Sequence, residues 1–374
     1  MPSFDVIVAA LHLRWDGVWQ RPNHLLSRLS RDVPVIVVEE PVPGERDGER
    51  IERTGNVTVV RPVRASWTDT IDERTCEAVR RLLGGRRPLL WFYTPQMLPL
   101  ADAFPAAPVV YDKMDELARF KDADPRIAQR EPQLLERAAV AFAGGRTLFA
   151  SIADRVRAGG CYPSGVEVAH FARARRPRPR DAAQRDARLT YVGVIDERLD
   201  LDLIARAAAL RPGWTFEMNG PVAKIDPQTL PRAQNIVYPG KRAYEELPRV
   251  LAAADVAVMP FALNEATRSI SPTKTLEYLA AGVPVVSTRV ADVVADYAGI
   301  VRFASDAEEF VREAELALQP DGARESRAAE RVSVADWDTI AAAMRDELAA
   351  NGVAAASGAR DGARGTTLQV APAR

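Results

Sequence analysis

Cysteine is almost absent from this chain: Cys76 and Cys161 are the only two in 374 residues. Thiols so few and so far apart support neither a disulfide framework nor a cysteine metal site. Histidine is nearly as scarce. His12, His24 and His170 form no His-x-x-x-His or His-Glu pair, which argues against zinc. An excess of one charge is also missing, because 50 Lys and Arg face 51 Asp and Glu for a net charge of −1. There is thus no global basic field for nucleic acid, and no nucleic-acid partner is expected. Long apolar runs are lacking too. The run from Phe4 to Leu11 is too short for a membrane span and contains Asp5. No basic leader or small-residue cleavage site accompanies it, so a cytoplasmic location is expected. Peripheral contact with the inner face of a membrane stays open.

What the chain does have is alternation. Short β-branched and apolar runs fall at 4–10, 33–38, 57–61, 89–93, 108–111 and 138–143. A second set falls at 188–194, 214–218, 235–238, 254–259, 283–288 and 300–303. Most are continuously apolar, as parallel strands covered on both faces should be. Amphipathic stretches such as 21–31, 71–83, 199–210 and 244–253 lie between them. The pattern predicts an α/β protein of two Rossmann-like doubly wound domains. The expected division is 1–171, a linker over 172–187, 188–334, a crossing helix over 335–351 and a disordered tail over 352–374. The linker holds an arginine- and proline-rich stretch, 173–180, and reads as solvated. Residues 326–350 read as one long final helix containing Trp337.

The stretch 264–288 carries the most chemistry. Ser271 reads as an N-cap, Pro272 as the first helical residue and Gly282 as a left-handed terminator, giving a helix over 272–281. Lys274 in the first turn opposes the helix dipole unless an anion sits there. The amides of Thr273 and Lys274 with the Lys274 ammonium suit a diphosphate. Glu277 is a carboxylate on an otherwise apolar helix and needs partners, which vicinal sugar hydroxyls would supply. The alternative is a plain Lys274–Glu277 surface pair.

From Glu277 the chain reads Glu277-Tyr278-Leu279-Ala280-Ala281-Gly282-Val283-Pro284-Val285-Val286. This resembles the donor-site signature of the retaining, group 1 type of GT-B glycosyltransferases, a family of polysaccharide and glycan assembly. The resemblance implies that Glu277 binds the ribose hydroxyls of a donor nucleotide. Supporting motifs run through the chain: Trp15-Asp16 with Gln20-Arg21-Pro22 and His24, Tyr111-Asp112 with Met114-Asp115-Glu116-Leu117, Pro163 with Gly165-Val166-Glu167 and Phe171, and Asp336-Trp337-Asp338. Two departures stand out. Ser269 occupies the place where many relatives carry a first glutamate. After the first strand of the second domain only Arg198 is basic, so Lys274, Arg198 and Arg268 are the candidates to share the phosphate charge.

The resemblance implies GT-B architecture, with a C-terminal helix crossing back to the first domain. It implies a hexosyltransferase-like enzyme that moves a sugar from a nucleotide diphosphate to a hydroxyl acceptor, with retention and without a metal. The acceptor is a glycan, a lipid-linked saccharide or a small metabolite. Candidate catalytic residues are Lys274, Asp115 and His24. Candidate donor-binding residues are Glu277, Lys274, Thr273, Ser271, Arg198, Gly220, Gly240 and Ser269. Asp115 would act as a base or hydroxyl ligand, and Gly220 would let the donor approach the backbone. His24 has the alternative of a half-buried helix residue, Asp112 of a helix cap, Asp16 of a turn residue, and Arg21 of a phosphate ligand or a carboxylate partner. The loop after 235–238 would hold the base. Asp200-Leu201-Asp202 mimics a metal motif but sits in helical spacing and is set aside. Rival readings are a sugar-nucleotide 2-epimerase and a non-catalytic scaffold subunit. A nicotinamide oxidoreductase lacks its G-x-G-x-x-G after the first strand. Base, sugar, acceptor and oligomeric state stay open.

Overall fold

Twelve principal strands lie six apiece in two sheets, and each set of six is ordered by the same rule. The computed structural model describes residues 3–120, 123–176, 186–265, 267, 270 and 272–356. The first sheet contains β1 (Val6–Leu11), β2 (Val35–Glu39), β3 (Val57–Arg64), β4 (Pro88–Phe92), β5 (Val109–Lys113) and β6 (Val140–Ala143). Their spatial order is β6-β5-β4-β1-β2-β3, with all neighbours parallel. The second contains β7 (Arg188–Val192), β8 (Thr215–Asn219), β9 (Ile236–Gly240), β10 (Val256–Met259), β11 (Val285–Thr288) and β12 (Arg302–Ala304). Its order, β9-β8-β7-β10-β11-β12, repeats the first. In each the chain starts mid-sheet, winds to one edge, then returns to wind to the other. Helices cover both faces, which is why β1 and β2 are buried along their whole length. Every strand expected from apolar patterning is present.

The unpredicted strands lack that pattern. Gly48–Thr54, with the polar sequence GERIERT, pairs antiparallel to β3 at the sheet edge. An exposed edge strand needs no apolar run to form. Gly159–Cys161 extends the other edge beside β6.

The two domains are stitched by crossing segments rather than by a single hinge. The helix Val168–Ala172 sends Phe171 into the second domain's core, so the boundary expected at residue 171 falls inside it. Arg175 donates to the Ala280 carbonyl at 2.9 Å, and Arg176 lies 3.6 Å from Asp255. Both arginines touch the second domain yet stay exposed, as the solvated reading expected. The rest of the expected linker, 177–185, lies outside the described residues.

The long helix expected over 326–350 is two helices, Gly322–Ser333 and Trp337–Ala350. Asp336 breaks them by capping the second, accepting from the Asp338 amide at 2.7 Å. Trp337, Ala341, Met344 and Leu348 then pack with Leu25, Leu26 and Leu29 of the first domain. The crossing-back helix is thereby in place. The disordered tail expected from 352 does not begin there, because Ala354–Ala355 pairs with Ser3–Phe4. Residues 357–374 lie outside the described part.

Candidate active site

The helix Lys274–Ala280 is the pivot of the cleft. It starts two residues later than expected, with Thr273 rather than Ser271 at its cap position, and Gly282 ends it at φ +71° as a left-handed terminator. Ser271, Ser269 and Arg268 lie outside the described residues. The helix is fixed to the sheet by Tyr278. Its fully buried hydroxyl accepts from the Val192 amide at 2.8 Å and donates to the Val192 carbonyl at 3.2 Å. Each such bond contributes roughly 1 kcal/mol, and more would be lost by leaving the group unpaired. Tyr278 thus holds the first turn of the helix over the C-terminal end of β7.

There the side chain of Lys274 lies across Gly193. A Cβ at residue 193 would stand 2.0 Å from Lys274 Cε and 2.8 Å from Nζ. Gly193 has φ +153°, as does Gly220 in the neighbouring loop, where a Cβ would meet the Gly193 carbonyl at 1.8 Å. Only glycine fits either place. The two loops therefore close on one another and leave bare backbone under the lysine.

This corner opens into a cavity of about 540 Å³ between the domains. The first domain lines it with Trp19, Arg21, His24 and Asp115, and the second with Arg198, Gly220, Thr273, Lys274 and Glu277. Most of the expected site residues converge here, including Lys274, Glu277, Thr273, Arg198, Gly220, Asp115 and His24. Gly240 does not line the cavity. Its carbonyl accepts from the Gly220 amide at 2.9 Å, and Lys241, Arg242 and Tyr244 beyond it face the cleft.

The charges are mutually arranged. Arg198 is gripped by Asp196, Nε to Oδ1 at 3.0 Å and Nη2 to Oδ2 at 2.6 Å. Burial lowers the Lys274 pKa, Glu277 opposes that shift, and Arg198 adds to it. Burial raises Glu277, against which Lys274 and a hydrogen bond from Thr273 favour the carboxylate. Burial raises Asp115 to about 6, although Arg198, Lys224 and Lys274 pull it down. Lys274 and the Asp196-paired Arg198 share this cleft with Glu277 and Asp115, so it offers cations to an anionic group and acceptors to hydroxyls rather than an apolar wall.

His24 reaches the cleft as a packed, neutral ring. Its Nδ1 accepts from Trp19 Nε1 at 3.1 Å, its ring stacks on Trp337 at 4.8 Å, and burial pushes its pKa to about 3. Arg21 reaches no phosphate position of its own, because it is paired to Asp112 at 2.9 Å. Asp112 is therefore a buried partner rather than a helix cap. Asp16 pairs with Arg61 at 3.0 Å. Asp200 caps the helix Leu201–Leu210, accepting from Leu203 at 2.8 Å.

Two groups escaped the reading of the sequence. One is Asp196, which aims Arg198 and could have been found from its place two residues earlier in the same turn. The other is an interdomain cluster. Glu167 accepts from the Tyr244 hydroxyl at 2.7 Å and from Arg28 at 3.3 Å, while His170 stacks on Tyr244 at 4.4 Å. Its members come from three distant segments, and no local pattern joins them.

With this geometry in hand, comparison with known proteins is informative. Residues 167–319 match the family model described as glycosyl transferases group 1 and carry that domain. A Bacillus subtilis (strain 168) protein named as a teichuronic acid biosynthesis glycosyltransferase, TuaH, is 27% identical over 226 residues, 55% of this chain and 56% of that one. The chain therefore spans little more than half the length of this curated relative. Among solved structures, sucrose-phosphate synthase from Thermosynechococcus elongatus superposes with a TM-score of 0.70 at 16% identity, covering 92% of this chain and all of that one. An α,α-trehalose 6-phosphate synthase from Burkholderia multivorans gives 0.64 at 16% identity over 94% and 99%. An E. coli trehalose-6-phosphate protein, bound with UDP-2-fluoro glucose, gives 0.66 at 13% identity over 92% and 98%. At these identities the likeness establishes the fold, which is GT-B.

Proposed function

We propose that this chain transfers a sugar from a nucleotide diphosphate to a hydroxyl acceptor, with retention and without a metal. One observation carries the reading: Glu277 and Lys274 stand one helical turn apart in the same cleft, with Arg198 beside them and Asp115 facing them from the other domain. Glu277 takes the ribose hydroxyls, because a half-buried carboxylate needs donors and a vicinal diol offers two. Lys274 and Arg198 take the diphosphate. In the reaction the bond from the sugar's anomeric carbon to the diphosphate oxygen breaks, and its electron pair stays on that oxygen. Lys274 and Arg198 stabilise the new charge in a largely desolvated site. The acceptor oxygen bonds to the anomeric carbon, and its proton passes to the departing diphosphate. The nucleotide sugar in the E. coli neighbour supports this donor class. The group 1 domain and the TuaH relative support the reaction class.

A second reading rests on Asp115. A carboxyl raised to about 6 and facing the cations could accept the acceptor's proton, which would favour inversion instead. The anomeric configuration of the product, read by NMR, separates the two.

The primary test is calorimetry of the purified chain against UDP, GDP, TDP and ADP, free and sugar-linked, with a chelator present. Micromolar affinity for one base is expected. Absence of binding to all of them sinks the donor site. Binding of the linked sugar with no turnover on any acceptor would favour the non-catalytic subunit.

A further inference from the structure

The residues assigned to the donor all come from the second domain: Glu277 for the ribose, Lys274 and Arg198 for the diphosphate. The first domain lines the same cavity with Trp19, Arg21, His24 and Asp115. Arg21 is closed on Asp112, and His24 is engaged by Trp19. Asp115 faces the donor cations. The ring of Trp19 has no part in the donor reading, yet it is 39% exposed in a cleft of polar groups. Tryptophan is a residue that folded chains mostly bury.

Its orientation is fixed. The one donor of the indole is satisfied inside the protein, Nε1 to His24 Nδ1 at 3.1 Å. The ring stands perpendicular to His24 with centroids 5.8 Å apart, and lies 6.1 Å from Trp15. His24 is held in turn by stacking on Trp337, the first residue of the crossing helix. With its polar atom paired, the indole has ring surface left to offer a ligand.

The loop that carries the ring is pinned as well. The Trp15 amide donates to Glu39 Oε1 at 2.7 Å, and Glu39 is fully buried at the end of β2. Asn23, also buried, ties the two ends of the loop together. Its Nδ2 donates to the Trp15 carbonyl at 3.0 Å, and its Oδ1 accepts from the Gln20 amide at 3.0 Å. Between them the Gly17 amide donates to the Arg14 carbonyl at 3.0 Å. A ring presented on so constrained a loop has little freedom left to lose on binding.

A flat apolar face inside a cavity of hydrogen-bonding groups fits a pyranose, which has C–H bonds on its faces and hydroxyls around its edge. The base is tied through its ribose to Glu277, and the diphosphate to Lys274 and Arg198. The molecule left to meet the first domain is the acceptor. We propose that Trp19 is the platform on which the acceptor stacks, and that the acceptor is a pyranose sugar. Its C–H face lies on the indole, and its hydroxyl edge meets the polar groups of the cavity, Asp115 among them. This narrows the hydroxyl acceptor to a sugar, and it rests on the donor reading because Glu277, Lys274 and Arg198 assign the second domain to the nucleotide.

The test uses the full chain saturated with whichever nucleotide it binds. Glucose, N-acetylglucosamine, glucuronate and the open-chain polyol sorbitol are titrated calorimetrically into the wild type, Trp19→Ala and Trp19→Phe. The wild type should bind at least one of the three pyranoses about tenfold or more tightly than sorbitol, which has the hydroxyls but no ring face. Trp19→Ala should weaken that pyranose about tenfold or more, as truncation of an aromatic anchor does, while Trp19→Phe keeps most of the affinity. Affinity for the nucleotide alone should be the same in all three proteins. Equal affinity for sorbitol, or pyranose affinity unchanged in Trp19→Ala, overturns the proposal. Weaker nucleotide binding in Trp19→Ala also overturns it, by giving the ring to the base. So does nucleotide binding with no pyranose binding, and both results leave the donor reading standing. No nucleotide binding at all removes the donor reading, and this proposal with it.

Discussion

The guanidinium of Arg21 closes on the carboxylate of Asp112 with Nη2 2.9 Å from Oδ1, and both side chains are essentially sealed from solvent. The pair joins the start of the first helix to the end of β5. Arg21 also donates to the Tyr162 carbonyl at 2.7 Å, where the chain leaves the first domain. Two sequence motifs that lie 91 residues apart therefore meet in one structural element beside the cleft.

Breaking that pair should cost stability before it costs chemistry. Asp112→Ala leaves a buried guanidinium uncompensated, with an expected loss of about 3–5 kcal/mol. Urea unfolding should show a lowered midpoint, and Asp112→Asn a smaller drop. A midpoint equal to wild type in Asp112→Ala would mean that water reaches Arg21.

Glu277→Ala should weaken nucleotide binding by roughly 10- to 100-fold, since hydrogen bonds to a charged group contribute about 1.5–3 kcal/mol. Calorimetry with the free nucleoside diphosphate reads this directly. Unchanged affinity in a folded variant would refute the ribose role.

Lys274→Ala should act differently. If the ammonium stabilises the leaving diphosphate, turnover should fall about 10²–10³-fold, more than donor affinity does. Steady-state kinetics with varied donor separates the two parameters. A loss confined to KM would reduce Lys274 to an anchor.

Gly193→Ala tests the packing under that lysine. The new methyl would occupy the place of Lys274 Cε, so the lysine must move. Activity should drop up to about 100-fold, as for an ångström-scale misplacement. In the double variant with Lys274→Ala the losses should be far from additive. Additive losses would show that Gly193 acts independently of Lys274.

Asp115 gives a pH signature. Its pKa is raised from 3.8 to about 6 in the folded chain, so the folded state holds this proton more tightly than the unfolded one. Its contribution to stability is fully present below about 4 and is lost as pH rises from about 4 through 6. Asp115→Asn should therefore flatten this part of the stability profile and stabilise the protein at pH 7.5. Where the ionised carboxylate works in transfer, kcat/KM should rise about tenfold from pH 5 to 7 in wild type and stay flat in the variant. An unchanged stability profile in Asp115→Asn would show that the group titrates normally.

Much of this protein was written locally. Short β-branched and apolar runs marked the twelve principal strands, most of them continuous because a strand buried on both faces must be apolar along its length. Gly282 and Pro284 marked where the donor-site helix stops, because those residues restrict or free the backbone regardless of surroundings. Glu277 and Lys274 stood out because a charge on an apolar helix is unsatisfied without a partner. The polar edge strand Gly48–Thr54 escaped because nothing buries it. The break at Asp336 was legible in part: a crossing helix was expected over 335–351, although periodicity made 326–350 read as one helix, and the capping hydrogen bond separates the two.

Other properties exist only once the chain has folded. Arg21 was readable as a cation but not as Asp112's partner, and His24 as a histidine but not as one held neutral by Trp19, Trp337 and burial. Residue type and spacing dictate what each segment can be, since propensity and burial act over a few residues. Which charges face one another, and which are left without a partner, is set by contacts between segments that the order of residues does not place side by side.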